Sequence, residues 1–191
     1  MLHLQPFTTV TGGALGVDLE AEKLARDHGL AVDILIPPCH PISKSLRPLS
    51  RAELAEAIRA TLKAAFCLNK ELESLISVQY VHRNYHVVKK SDLTLALGRF
   101  QATSNMIHGR TVWAVEFAKL MKKILYVYDQ IYMWFWYRHD QDLFCSSDQV
   151  SEDQFALPTF PPRTAIIGIN HYVSLRYSPV SLSSFNSIVQ F

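Results

Sequence analysis

Hydrophobic and polar positions along this chain follow two periods, and the period changes at glycine and proline. Phe7 to Thr11 is rich in β-branched threonine and predicts a strand. From Val17 the residues Val17, Ala21, Leu24, Ala25 and His28 recur at helical spacing, and Gly29 supplies the stop. Ala31 to Ile36 predicts a second strand, ended by Pro37 and Pro38. Strand, glycine turn, helix and strand make a βαβ unit, whose crossover is expected to be right-handed.

Cys39 to Leu49 carries proline and serine and reads as a loop. The next helix has a clear start: Ser50 and Glu53 form a capping box, with Leu49 and Leu54 placed as a hydrophobic staple. Leu54, Ile58, Leu62 and Ala65 are expected to form its buried stripe. Leu72 to Lys90 predicts a further helix and Leu93 to Leu97 a strand closed by Gly98. Thr111 to Met121 predicts a helix with Ala114, Val115, Ala118 and Met121 on one side. Ile124 to Tyr128 predicts a strand, and the aromatic stretch to Tyr137 an antiparallel strand at the sheet edge. Thr164 to Ile169 is a sixth candidate strand. Asp140 to Pro162 and the tail after Tyr177 are polar, with proline and serine, and read as loop. This alternation predicts an α/β fold with an open, mainly parallel sheet and helices on both faces. One domain over residues 1–177 followed by a tail, 178–191, is the expected organisation.

Composition narrows the picture. With 191 residues, nearly half apolar, the chain can build one ordinary core. A formal charge of +2 with no basic runs gives no argument for nucleic acid or an anionic membrane surface. The run Ile124 to Tyr137 is too short to span a bilayer, and Asp129 interrupts it. Cys39, Cys67 and Cys145 are odd in number and widely spaced, which gives neither a disulfide framework nor a zinc pattern. With no leader-like segment, this predicts a cytoplasmic setting.

Candidate chemistry starts at Thr11-Gly12-Gly13-Ala14-Leu15-Gly16-Val17-Asp18. In an open parallel sheet, ligands bind beyond the carboxyl ends of the strands. Gly12, Gly13 and Gly16 lie at such an end, where missing Cβ atoms let a ligand approach main-chain N–H groups and the following helix adds a positive pole. The pattern is neither GxGxxG nor a Walker A loop. It predicts a phosphate cradle; the alternative is a tight turn that uses glycine for geometry alone. Asp18 either charges the first helical turn favourably or bonds a ligand hydroxyl, and the cap is the usual role of an isolated aspartate.

This stretch resembles the first loop of the SLOG superfamily of Rossmann-like proteins, which includes Lonely-Guy-type phosphoribohydrolases, DprA-like proteins and molybdenum-cofactor carriers. The carrier-like branch commonly opens with such a Gly-Gly-x-x-Gly-x-Asp loop. Val81-His82-Arg83-Asn84-Tyr85-His86-Val87-Val88-Lys89-Lys90-Ser91-Asp92 is similar to the arginine-bearing helix of the Lonely-Guy enzymes. His108-Gly109-Arg110-Thr111-Val112-Trp113-Ala114-Val115-Glu116 is similar to the family's Gly-Gly-x-Gly-Thr-x-x-Glu loop. It is closer still to the form Gly-Gly-Thr-Gly-Trp-Ala-Val. Arg110 and Val112 depart from that pattern by standing where it has glycine. The three pieces cover roughly Phe7 to Asp129.

Two functions follow from the resemblance. The first is binding of a phosphorylated small molecule, a nucleotide or a phosphorylated pterin such as the molybdenum cofactor carried as cargo. Gly12, Gly13, Gly16, Asp18, Asn84, Gly109, Arg110, Thr111 and Trp113 would then form the ligand site. Trp113 or Tyr85 would either stack on a ring or simply pack in the core. The alternative is a nucleoside 5'-monophosphate N-glycosidase, with Glu116 and Arg83 meeting over the ribose as catalytic residues. His82 and His86 share a helix face, but no third ligand stands nearby and no metal site is predicted. Cys39-His40 reads as loop chemistry only. Relatives often form dimers, so Tyr132 to Tyr137 is either a homo-oligomer interface or the edge covering of the fold. No nucleic-acid or membrane partner is expected.

Overall fold

The computed structural model of the chain describes residues 8–14, 16–35, 49–71, 75–101, 103–129, 133–146 and 163–168. Cys39, His40, Tyr132, the segment 147–162 and the tail 178–191 lie outside them.

Nine strands and four helices are described: β1 (Thr8–Thr11), α1 (Val17–Asp27), β2 (Ala31–Ile34), α2 (Arg51–Leu68), α3 (Leu75–Lys89), β3 (Leu93–Leu97), β4 (Phe100–Gln101), β5 (Met106–Ile107), α4 (Thr111–Leu120), β6 (Ile124–Asp129), β7 (Met133–Arg138), β8 (Leu143–Ser146) and β9 (Arg163–Gly168). This is an α/β fold. Seven strands pair in the order β2-β1-β9-β3-β6-β7-β8, and β4 and β5 form a separate hairpin. The pairs β1–β2, β1–β9, β9–β3 and β3–β6 are parallel, and β6–β7 and β7–β8 are antiparallel.

That order has a consequence for where a ligand could bind. From β1 the chain crosses through α1 to β2 on one side, while from β3 it crosses through α4 to β6 on the other. The last described strand, β9, fills the place between β1 and β3, with Thr8 opposite Arg163 and Leu93 opposite Thr164. Strand order therefore reverses around β9. Crevices form at the carboxyl ends of strands beside such a reversal.

The core is built on β3, β6 and α4. Leu93, Leu95, Leu125 and Phe117 are fully buried, and α4 is buried along eight consecutive residues, Thr111 to Ala118. Such a helix must be covered on several sides. It packs against α3, α2, β3, β5 and β6. Tyr85 of α3 meets Phe117 edge-on, ring centroids 5.4 Å apart, a geometry favoured by the ring quadrupoles.

Several expectations are corrected. The stripe Leu54, Ile58 and Leu62 is not the buried face of α2: these residues are 40%, 42% and 57% exposed, and Phe66 continues the row at 88%. The buried residues are Ala57, Thr61, Ala64 and Leu68, while Ala65 is partly buried at the core margin. Small residues on that face let α2 approach α3 and α4 closely. The capping box at Ser50 is present, with Glu53 N–H donating to Ser50 Oγ at 3.2 Å and Ser50 N–H to Glu53 Oε2 at 2.8 Å.

On α1, His28 lies outside the helix and is exposed, and Asp18 and Glu22 join Val17, Ala21 and Ala25 on the buried face. Asp140 to Pro162 is not loop throughout, because Leu143–Ser146 forms β8 against β7. The run Ile124 to Tyr137 contains an antiparallel pair, as expected, with Tyr126 opposite Trp136, but β7 is not at the sheet edge, because β8 pairs along its other side. Among the described residues no helix is long and apolar enough to cross a membrane.

Candidate ligand site at the first glycine turn

The turn leaves β1 at Thr11 and enters α1 at Val17. Gly13 has φ 64° and Gly16, the N-cap of α1, has φ 95°; both lie in the region that only glycine enters cheaply. No side chain caps α1 at Gly16, and the acidic residues of the first turn, Asp18 and Glu20, face the positive pole of the helix.

Gly12 is required for a different reason. The guanidinium of Arg83, from the middle of α3, lies against it: a Cβ on Gly12 would fall 2.3 Å from Arg83 Cζ and 2.5 Å from Nε. Arg83 Nη1 donates to the Gly12 carbonyl at 2.8 Å, across 71 residues of sequence. Nε and Nη2 both donate to Asn84 Oδ1, at 3.1 and 2.7 Å, and the Tyr80 ring lies 5.4 Å from Cζ. Arg83 is only 7% exposed. A buried charge is tolerated when paired and hydrogen-bonded; these neighbours supply the hydrogen bonds, and Asp18 supplies an opposite charge.

Two carboxylates of α1 face the same turn. Asp18, 1% exposed, accepts from Gly12 N–H at 3.1 Å and Ala14 N–H at 3.4 Å, with Arg83 Nη2 3.9 Å away. Glu22, one helical turn further, accepts from the Thr11 hydroxyl at 2.7 Å, and Gly13 N–H donates to Thr11 Oγ1 at 3.4 Å. Glu22 and Thr11 belong to the local network, and neither stands out in the sequence. The signal that could have found Glu22 is its four-residue spacing from Asp18, which puts both acids on one helix face.

The other predicted residues lie elsewhere in the fold or in other roles. Asn84, 5% exposed, spends its side-chain oxygen on Arg83. Gly109 has φ 81°, but Arg110 has φ −74° and Val112 lies inside α4, so glycine is not needed at either position. Arg110 is exposed, Thr111 is buried, and Trp113, 8% exposed, sits in the hydrophobic core.

Glu116 has Lys119 Nζ at 4.0 Å and the Cys67 thiol beside it. Burial raises its carboxyl above the usual range, partly offset by Lys119. Lys119 in turn lies over the rings of Tyr137 and Phe144, at 4.6 and 5.6 Å. Arg83 and Glu116, paired over a ribose in the enzyme reading, are thus held by different neighbours.

His86 Nε2 lies 3.1 Å from the Glu53 carbonyl, and burial lowers the proton affinity of both His82 and His86. Among the described residues no group of three or more His, Cys, Asp or Glu side chains could hold a metal ion. The Tyr85 hydroxyl, buried and bonded to Glu56 at 2.7 Å, is pushed up to about 12.

Compared with family models, curated proteins and solved structures, the chain gives no match.

Proposed function

We propose that this chain is a Rossmann-like protein of SLOG type, and that it binds a phosphorylated small molecule at the turn from Gly12 to Asp18. A nucleotide or a phosphorylated pterin carried as cargo is the ligand class. The observation that carries the reading is the guanidinium of Arg83 against Gly12 at the carboxyl end of β1. There a fixed cation, the pole of α1 and two loop amides, which donate to Asp18 in this structure, lie together beside the reversal of strand order. Such a convergence suits the oxygens of a phosphate.

Binding is preferred over glycosidic hydrolysis. Hydrolysis in this class would need Glu116 and Arg83 to face one ligand, and their observed neighbours differ. A thermal-shift series with nucleoside monophosphates, inorganic phosphate and a phosphorylated pterin tests the proposal, since a ligand that prefers the folded state raises Tm. Gly13→Asp adds a carboxylate to the turn and is expected to abolish the shift while the chain stays folded. An unchanged shift in that variant would refute the assignment.

A further inference from the structure

One apolar row of α2 stays open after the fold is complete. Leu54, Ile58, Leu62 and Phe66 stand four residues apart, and their exposure climbs along the helix from 40% to 88%. Single exposed apolar side chains are ordinary, whereas a row of four large ones marks a contact surface. Beside it runs a second row, Arg51, Ala55, Arg59 and Lys63, each three residues before its apolar neighbour and each exposed. We propose that these two rows dock an acidic amphipathic helix of another protein.

The charge around the apolar row sets the sign of the partner. Arg51, Arg59 and Lys63 make no ion pair among the described residues. Both acids of α2 are engaged elsewhere: Glu53 accepts from Ser50 N–H, and Glu56 accepts from Lys89 Nζ and the Tyr85 hydroxyl. Just past the helix, the exposed Lys70 and Glu71 offset each other. The face is therefore apolar along one row and cationic along the next. A helix with a matching apolar row, and carboxylates on the flank that meets Arg59 and Lys63, satisfies both.

Shape and charge separate this partner from the other occupants. Each step of four residues advances about 40° round the axis, so the row winds through about 120° over about 18 Å. A lipid surface is flat and meets a helix along a line parallel to its axis. It would reach Phe66 only by leaving Leu54 behind, at the margin of the domain. A second helix crosses obliquely, at about 50° when rows of this kind interlock, and so can follow the ridge. A second copy of this chain is disfavoured by charge. Two-fold pairing across the middle of the row brings Arg59 and Lys63 of both copies together, with both acids of α2 already engaged.

The test titrates the full chain into a fluorescently labelled synthetic peptide as long as α2, with leucines four residues apart flanked by glutamates, and reads anisotropy. A twin peptide carries lysines in place of the glutamates. Wild type is expected to bind the acidic peptide at least tenfold more tightly than its twin. Phe66→Asp and Leu62→Asp change exposed positions, and each, with folding checked by circular dichroism, is expected to weaken that binding at least tenfold. Arg59→Glu combined with Lys63→Glu is expected to reverse the preference in favour of the lysine peptide. No binding of the acidic peptide, equal binding of the twins, or undiminished binding by folded Phe66→Asp would overturn the proposal. So would a dimer in sedimentation that Phe66→Asp dissociates, which would give the face to a second copy. Flotation with phosphatidylserine vesicles that Phe66→Asp abolishes would give it to a lipid surface and overturn the proposal equally.

Discussion

The guanidinium of Arg83 occupies the space that a side chain on residue 12 would need, with Cζ 2.3 Å from where that Cβ would lie. Gly12→Ala therefore forces a buried, triply hydrogen-bonded cation to move. Overpacking of this kind costs about 1–3 kcal/mol. For a chain of this length each kilocalorie lowers Tm by about 2–4 °C. Thermal unfolding of Gly12→Ala is expected to show a loss in that range, and Tm equal to wild type would mean that Arg83 does not pack there.

The two faces of α2 give a second prediction. Leu62→Gln changes a residue 57% exposed and is expected to shift stability by less than about 0.5 kcal/mol. Ala64→Leu inserts three heavy atoms into a fully buried contact and is expected to cost about 1–3 kcal/mol. Urea unfolding of the pair checks the assignment, and the opposite ranking would restore the face that hydrophobicity alone suggests.

Glu116 gives a prediction about pH. Its carboxyl is raised above the ordinary value of 4.5 because burial disfavours the charge. The folded state therefore holds the proton more tightly than the unfolded state. Its favourable contribution is fully present below 4.5 and is lost as pH rises through the folded value. Glu116→Gln is neutral throughout, so it is expected to gain stability over wild type as pH rises from 4.5 toward neutrality and to gain none below 4.5. Urea midpoints measured across that range decide it, and a gain that grows toward acid would contradict the assignment.

Helix α2 shows what the sequence could and could not reveal. Its start was legible because the capping box is local, three residues apart, with both bonds made inside one turn. Its face was not. Two apolar rows run along the helix at the same period, Leu54-Ile58-Leu62-Phe66 and Ala57-Ala64-Leu68 with Thr61 among them. Transfer free energy favours burying the larger side chains, but close packing against α3 and α4 selected the smaller ones.

The candidate site divides in the same way. The glycines and Arg83 stand out singly, but their contact spans 71 residues and only tertiary structure makes it. In sequence Asp18 is a helix-start charge, whereas its bonds run backward to Gly12 and Ala14. Strand β8 is hidden because Leu-Phe-Cys-Ser is short and lies in a polar stretch. Its pairing with β7 makes it a strand.

The most direct measurement of the central claim is a calorimetric titration of a nucleoside monophosphate into wild type and into Arg83→Gln, with folding of both checked by circular dichroism. Binding to wild type and at least tenfold weaker binding to the variant is the predicted result. Equal affinity in the two folded chains would contradict a phosphate seat built on Arg83 and the first glycine turn.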